Sequence, residues 1–254
     1  MKNVLLICSK EMRSYFASPI AYAVLGLFAF LFGGLVFYPT VKELSQFAIQ
    51  AQMQGQPMNL NDQVIRPLLG FASTISLFVL PLITMRLFAE EKRSGTMELL
   101  LTSPVRDIEI ILGKWIGAML LYMSMLAMSM LNIMFLFFWG KPDWKPVLVA
   151  YLGLILQGGC LLAIGAFISS LTRSQIVAGG ATFFVCLILW LLSWFTAFSS
   201  SLATQVINYL SIVTHFENFG KGVIDLKDVI FYLSLIFFAL FITSRSMESL
   251  RWRS

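Results

Sequence analysis

The chain has 254 residues, of which 58% are hydrophobic, 14% aromatic and only 12% charged, with a mean hydropathy of +0.83. A soluble globular domain holds about 45–50% apolar and about 25% charged residues, so that class is excluded and the sequence reads as an all-α polytopic membrane protein. The formal net charge of +5 is read as membrane topology and attraction to lipid headgroups, with no nucleic-acid partner.

The first predicted element is residues 1–18. Val4, Cys8, Met12, Tyr15 and Phe16 recur there at helical spacing, while Lys2, Ser9 and Arg13 fall on another side. This pattern predicts an interfacial helix along the cytoplasmic leaflet, turned into the bilayer at Pro19; a plain extension of the first span is the alternative. Lys10, Glu11 and Arg13 interrupt the apolar run, so no cleavable signal is expected.

Six windows then approach the about 20 apolar residues that cross a core of roughly 30 Å. They lie near 20–38, 67–87, 110–139, 147–171, 176–198 and 229–244, the last one short. With a cytoplasmic N-terminus, 12 of the 18 Lys and Arg residues fall on the cytoplasmic side, and the six outside are matched by six acids. The net positive charge is then all on one face, which predicts both termini inside.

The outer connections differ. Residues 39–66 form a polar cap, 140–146 a tight turn, and 199–228 a segment too apolar for a free loop and too polar to span. A short pair of interfacial or re-entrant helices, acting as an outer lid, is predicted for 199–228. The whole chain, 1–254, reads as one transmembrane domain.

Catalytic chemistry is absent from the sequence. A phosphate-cradling loop needs Gly-Lys followed by Ser or Thr, whereas Lys114, Lys141 and Lys221 are followed by Trp, Pro and Gly. His215 is read with Glu217 as an interfacial polar pair; no metal site and no catalytic residue is expected, and Cys8, Cys160 and Cys186 read as small buried hydrophobes. The span centres carry no ionisable side chain, and Asn132 and Gln157 read as hydrogen-bonding glue between helices. Met119, Met123, Met130 and Met134 share a face of the third span, open to three readings: copper passage, a dimer seam or an apolar path.

Energy for transport must therefore enter elsewhere, and the charged hairpin at 88–107 is the entry point. Glu90 and Arg93 are spaced to pair on a continuation of span 2. Gly95 permits a turn, Thr96 to Leu101 can form a short helix with Met97, Leu100 and Leu101 on an apolar face and Glu98 outside it, and Ser103–Pro104 reads as the start of the third long helix.

At this hairpin the chain resembles a known family. Glu90, Glu91, Gly95, Thr96, Glu98, Leu99 to Leu101, Pro104, Gly113 and Lys114 reproduce the first cytoplasmic loop of ABC-2 type permeases, and HFENFGKGVIDLKDVIFYLS at 215–234 is similar to the gliding-motility branch. The resemblance implies a non-catalytic permease subunit, in an exporter of the bacterial inner membrane. It implies a homodimer, or a pseudo-dimer with a similar permease, served by two ATPase subunits that bind ATP and Mg, and an auxiliary subunit with an extracytoplasmic domain. Spans one, two and five are expected to form the dimer walls. The ATPase-coupling residues it implies are Glu90, Glu91, Arg93, Gly95, Thr96, Met97, Glu98, Leu100, Leu101 and Pro104. The alternatives are a membrane scaffold that recruits an ATPase without forming a path, and an ion-driven carrier.

Overall fold

The computed structural model describes residues 2–53, 59–97, 105–139, 142–195 and 209–251. It is all-helical, with no strand among the described residues. In a hydrocarbon medium this is forced, because a helix satisfies its backbone groups internally. Helix α1 is Lys2–Ala17, α2 Pro19–Ala29 and α3 Tyr38–Met53, with a π-helical stretch Phe30–Phe37 between the last two. After a π turn at Asn61–Ile65 come α4 Arg66–Thr84, α5 Ala89–Ser94, α6 Asp107–Trp139, α7 Trp144–Leu171, α8 Gln175–Phe195, α9 Ile212–Gly220 and α10 Leu226–Arg251.

Six stretches are long and apolar enough to cross a membrane: Pro19–Leu44, Asn61–Ser94, Asp107–Phe138, Trp144–Leu171, Gln175–Leu192 and Leu226–Ser249, here spans 1 to 6. Spans 2 and 4 form the centre, with 61% and 67% of their apolar windows buried, against 17% to 28% for spans 1, 5 and 6. Span 6 is longer than its hydropathy suggests. Its helix runs through Asp228 and Arg245, because Asp228 is met by His215 and Asn218 and Arg245 by Glu248.

Local sequence sets the helix ends. Ser18 caps α2, its Oγ accepting from the Ile20 N–H at 3.4 Å, with Pro19 in the first turn. Span 2 is not one continuous helix into the hairpin: it breaks at Met85–Phe88 and resumes at Ala89. The Ser169 hydroxyl stitches the break, accepting from the backbone N–H groups of Phe88 and Ala89, each at 3.1 Å. The third long helix begins at Asp107, after non-helical Val105 and Arg106, and not at the Ser103–Pro104 pair. Its start is fixed by Glu109, whose Oε2 accepts from the Arg106 N–H at 3.3 Å, one half of a capping box.

Small residues on α7 let its neighbours close in. A Cβ at Gly158 would stand 2.0 Å from Tyr122 of α6, and one at Gly165 would stand 2.4 Å from Thr84 of α4. Polar side chains reinforce the same seams: Ser73 donates to Gln157 Oε1 at 2.8 Å, and Tyr122 donates to the Leu154 carbonyl at 3.1 Å. Gln157 is thus a bridge from α7 to α4, and Asn132 packs against Gly33 in the π-helical stretch of span 1. The methionine face of α6 points largely outward, with Met123, Met130 and Met134 exposed and Met119 packed near Gly159, so it lines no path inside this chain.

At the end of the bundle opposite α1, α9 packs on α7 and α4. His215 pairs with Asp228 rather than Glu217: Nδ1 is 2.6 Å from Oδ1, and Nε2 is 2.8 Å from the Tyr209 carbonyl oxygen. Of the predicted outer lid, residues 196–208 lie outside the described residues.

Candidate functional site at the α1 end of spans 2 and 3

Four helices meet at the end of the bundle that carries α1. Helix α1 lies along the first turns of α6, and two glycines make the approach possible: a Cβ at Gly113 would stand 2.8 Å from Ile7, and one at Gly117 would stand 3.0 Å from Glu11. The buried stripe of α1 contains Cys8 and Tyr15, as its spacing predicts, while Phe16 is exposed. Burial, helped by Glu11, pushes the Tyr15 phenol up, so its hydroxyl stays protonated.

One acidic residue interrupts that stripe. Glu11 Oε1 accepts from Lys114 Nζ at 2.8 Å, and Glu91 Oε1, on α5, stands 2.9 Å from the same nitrogen. Lys114 also lies over the Phe88 ring, 5.6 Å from its centroid. The lysine is buried, and an isolated ammonium in such surroundings costs several kcal/mol. Two carboxylates around one cation would carry an excess negative charge, which Lys10 offsets at 3.8 Å from Glu91. The four groups sum to zero, and they join α1, the first helical turns of the hairpin and the shaft of span 3.

A second set of contacts holds the neighbouring face. Glu90 is gripped by Arg86, Nε to Oε2 at 2.7 Å and Nη2 to Oε1 at 2.8 Å, instead of pairing with Arg93, which is exposed. This bidentate geometry is available because Arg86 sits four residues earlier, within the break in span 2. Arg86 Nη1 also donates to Ser18 Oγ at 3.1 Å, tying the cap of span 1 into the cluster. Lys92 Nζ donates to the Ser170 carbonyl of α7.

Beyond α5 the chain turns at Gly95, whose φ of +74° is the left-handed conformation that favours glycine. Thr96 is exposed, with its hydroxyl 2.9 Å from Ser94 Oγ. Met97 is buried in the chain's own core, which anchors the far side of the turn. Glu98, Leu100, Leu101 and Pro104 lie outside the described residues. Glu11, Arg86, Lys92 and Lys114 do the joining and were absent from the predicted coupling set. The available signal was a lone acid in the apolar stripe of residues 1–18, together with Gly113 and Gly117 spaced one turn apart.

The arrangement has no nucleophile or proton-transfer pair open to a substrate, and no metal-binding group of His, Cys, Asp or Glu occurs among the described residues. What the contacts do is tie the hairpin to α1, to the cap of span 1 and to span 3. Residues 5–244 match the family model described as ABC-2 family transporter protein. No curated protein matches the chain at a significant level.

Proposed function

The chain belongs to the ABC-2 transporter family as a membrane permease subunit, and from that premise we propose that it serves an exporter driven by separate ATPase subunits docked on the hairpin at 88–107. The observation that carries this reading is the Lys114 cluster. Glu91 sits four residues before the Gly95 turn and is locked to span 3 and to α1, so displacement of the hairpin moves three elements as a body.

In this reading the α1 end faces the cytoplasm of a bacterial cell, and ATP and Mg are held by the partner. Two copies of the chain form the path, with the exposed apolar faces of spans 1 and 5 supplying the seam; Phe30 and Leu35 on span 1 and Val177 and Phe184 on span 5 are more than half exposed. The 215–234 stretch supports the gliding-motility branch and an auxiliary extracytoplasmic subunit.

Two substitutions test the docking role. Gly95→Pro fixes φ near −65°, incompatible with the observed +74°, and Glu98→Lys reverses a charge on the hairpin. Purified with the candidate ATPase, the first is expected to lose stimulated hydrolysis and the second to lose the ATPase itself, while membrane insertion persists. Wild-type assembly and hydrolysis in both would reduce the hairpin to a connector; hydrolysis without vectorial movement in the wild type would restore the scaffold reading. For orientation, Lys221→Cys should react with an impermeant maleimide from outside the cell and Arg93→Cys should not.

A further inference from the structure

Next to the coupling cluster, but on the outer wall of the bundle, the first turns of α6 and the last turns of α10 diverge and leave a groove of about 750 Å³. Its two ends differ in chemistry. At the α1 end the mouth carries Arg106, just before α6, and Asp107 at its start, with Arg245 and Glu248 from α10. Just inside the rim stands Ile108, and deeper in the walls are Leu112, Phe237 and Phe241, both phenylalanines about half exposed or more. Phe237 lies eight residues before Arg245 on one helix, so the apolar floor reaches about 12 Å below the charged rim. A polar mouth over an apolar slot of that depth, at the edge of a membrane span, takes an amphiphile. A soluble partner cannot follow the slot into the hydrocarbon.

The charges at the mouth narrow the class. Two arginines and two carboxylates sum to zero, so the site offers no net attraction to an anionic headgroup. A headgroup carrying both signs matches it: the arginines suit the phosphodiester, and the half-exposed Glu248 carboxylate suits a primary ammonium with three N–H donors. Arg245 is already held in place for this, with Nη1 donating to Glu248 Oε2 at 2.7 Å and its guanidinium 5.4 Å from the Phe241 ring centroid. From this charge pattern and depth we propose that the α6–α10 groove is a binding site for phosphatidylethanolamine. Phosphatidylcholine presents the same phosphate but a trimethylated cation with no N–H to give, and phosphatidylglycerol presents no cation. The site does not depend on the coupling reading: it takes Arg106 and Asp107 from the end of the hairpin but needs no ATPase.

Native mass spectrometry of the full-length chain, purified with the subunits that accompany it, tests the proposal with phosphatidylethanolamine, phosphatidylcholine and phosphatidylglycerol of identical acyl chains. The expected result is an adduct with phosphatidylethanolamine at least about tenfold tighter than with the other two, one factor of ten being a single good hydrogen-bonded contact. Glu248→Gln should bring phosphatidylethanolamine down to the phosphatidylcholine level, and Arg245→Gln should weaken both. Ile108→Trp, which fills the slot and leaves the rim intact, should abolish the adduct, whereas Arg173→Gln, an exposed cation elsewhere, should change nothing. Equal binding of the three lipids, a preference for phosphatidylglycerol, or no adduct on the wild type would each overturn the assignment. So would unchanged selectivity in Glu248→Gln and Ile108→Trp variants that melt like the wild type.

Discussion

Glu91 Oε1 stands 2.9 Å from Lys114 Nζ, which places an ion pair between the last turn of span 2 and the interior of span 3. Removing one side of a buried pair leaves the other uncompensated, which costs about 3–5 kcal/mol, far more than the pair itself contributes. Lys114→Met strands Glu11 and leaves Glu91 only the exposed Lys10 at 3.8 Å, whereas Glu91→Gln leaves Lys114 still paired with Glu11. Thermal unfolding in detergent should therefore rank Lys114→Met well below Glu91→Gln, with the wild type highest. Equal midpoints for all three would show that the cluster is hydrated and energetically idle.

The α6–α7 seam makes a prediction about volume. A methyl at Gly158 would fall 2.0 Å from Tyr122 Cε1, inside the ring's van der Waals surface, and Tyr122 is buried and held by the Leu154 carbonyl and Ser76. Gly158→Ala should thus destabilise by about 1–3 kcal/mol, the usual cost of overpacking. Gly180 meets nothing within 4 Å, so Gly180→Ala should be neutral or raise the melting midpoint slightly, since glycine in a helix interior costs about 0.5–1 kcal/mol relative to alanine. Reversal of that order in a melting experiment would contradict the packing described for α7.

Much of the fold was legible in the sequence because hydropathy directly reports what must be covered in a bilayer. Span ends were less so, and the reason is visible at Asp228 and Arg245: a charge lowers hydropathy but does not end a helix when a partner meets it, His215 from α9 for Asp228 and Glu248 on the same helix for Arg245. Partner choice was the other gap. His215 found Asp228, thirteen residues on, because α9 folds back over the start of α10; Glu90 paired back with Arg86, four residues earlier, and not forward with Arg93. Residues 1–18 show the acid but not its partner on α6, so Glu11 read as an interruption of an apolar run when it is the ligand of a buried lysine.

Cys8 reports on that docking. Burial, with a further push from Glu11, raises its thiol above the ordinary range, so little thiolate exists near pH 7 and the free side chain is also covered. In a Cys160→Ala/Cys186→Ala background, maleimide labelling at pH 7 should be at least about tenfold slower at Cys8 than at an added cysteine replacing exposed Leu5 on the same helix, and should accelerate as pH rises. Equal rates at the two positions would mean that α1 is not seated on α6.

The last prediction follows from proton counting at the α9 cap. The Tyr209 carbonyl can only accept, so His215 Nε2 carries a proton and donates to it; the 2.6 Å contact between Nδ1 and Asp228 Oδ1 then requires one further proton between those two atoms. Asp228 Oδ2 accepts from Asn218 Nδ2 at 2.7 Å, so both carboxylate oxygens are occupied. An asparagine at 228 can reproduce this pattern with a neutral imidazole, its carbonyl facing Asn218 and its amide donating to Nδ1. A leucine cannot, and leaves Nδ1 and the Asn218 amide unsatisfied in a buried site, at about 1–3 kcal/mol each. Asp228→Asn should therefore keep α9 in place and Asp228→Leu should release it. Hydrogen exchange over residues 212–220 measures the difference: near-wild-type protection in Asp228→Asn and early exchange in Asp228→Leu. Protection lost equally in both would mean that the cap depends on the carboxylate charge, and protection kept in both would mean that the stacking of His215 on Phe231, 3.8 Å between centroids, suffices to hold it.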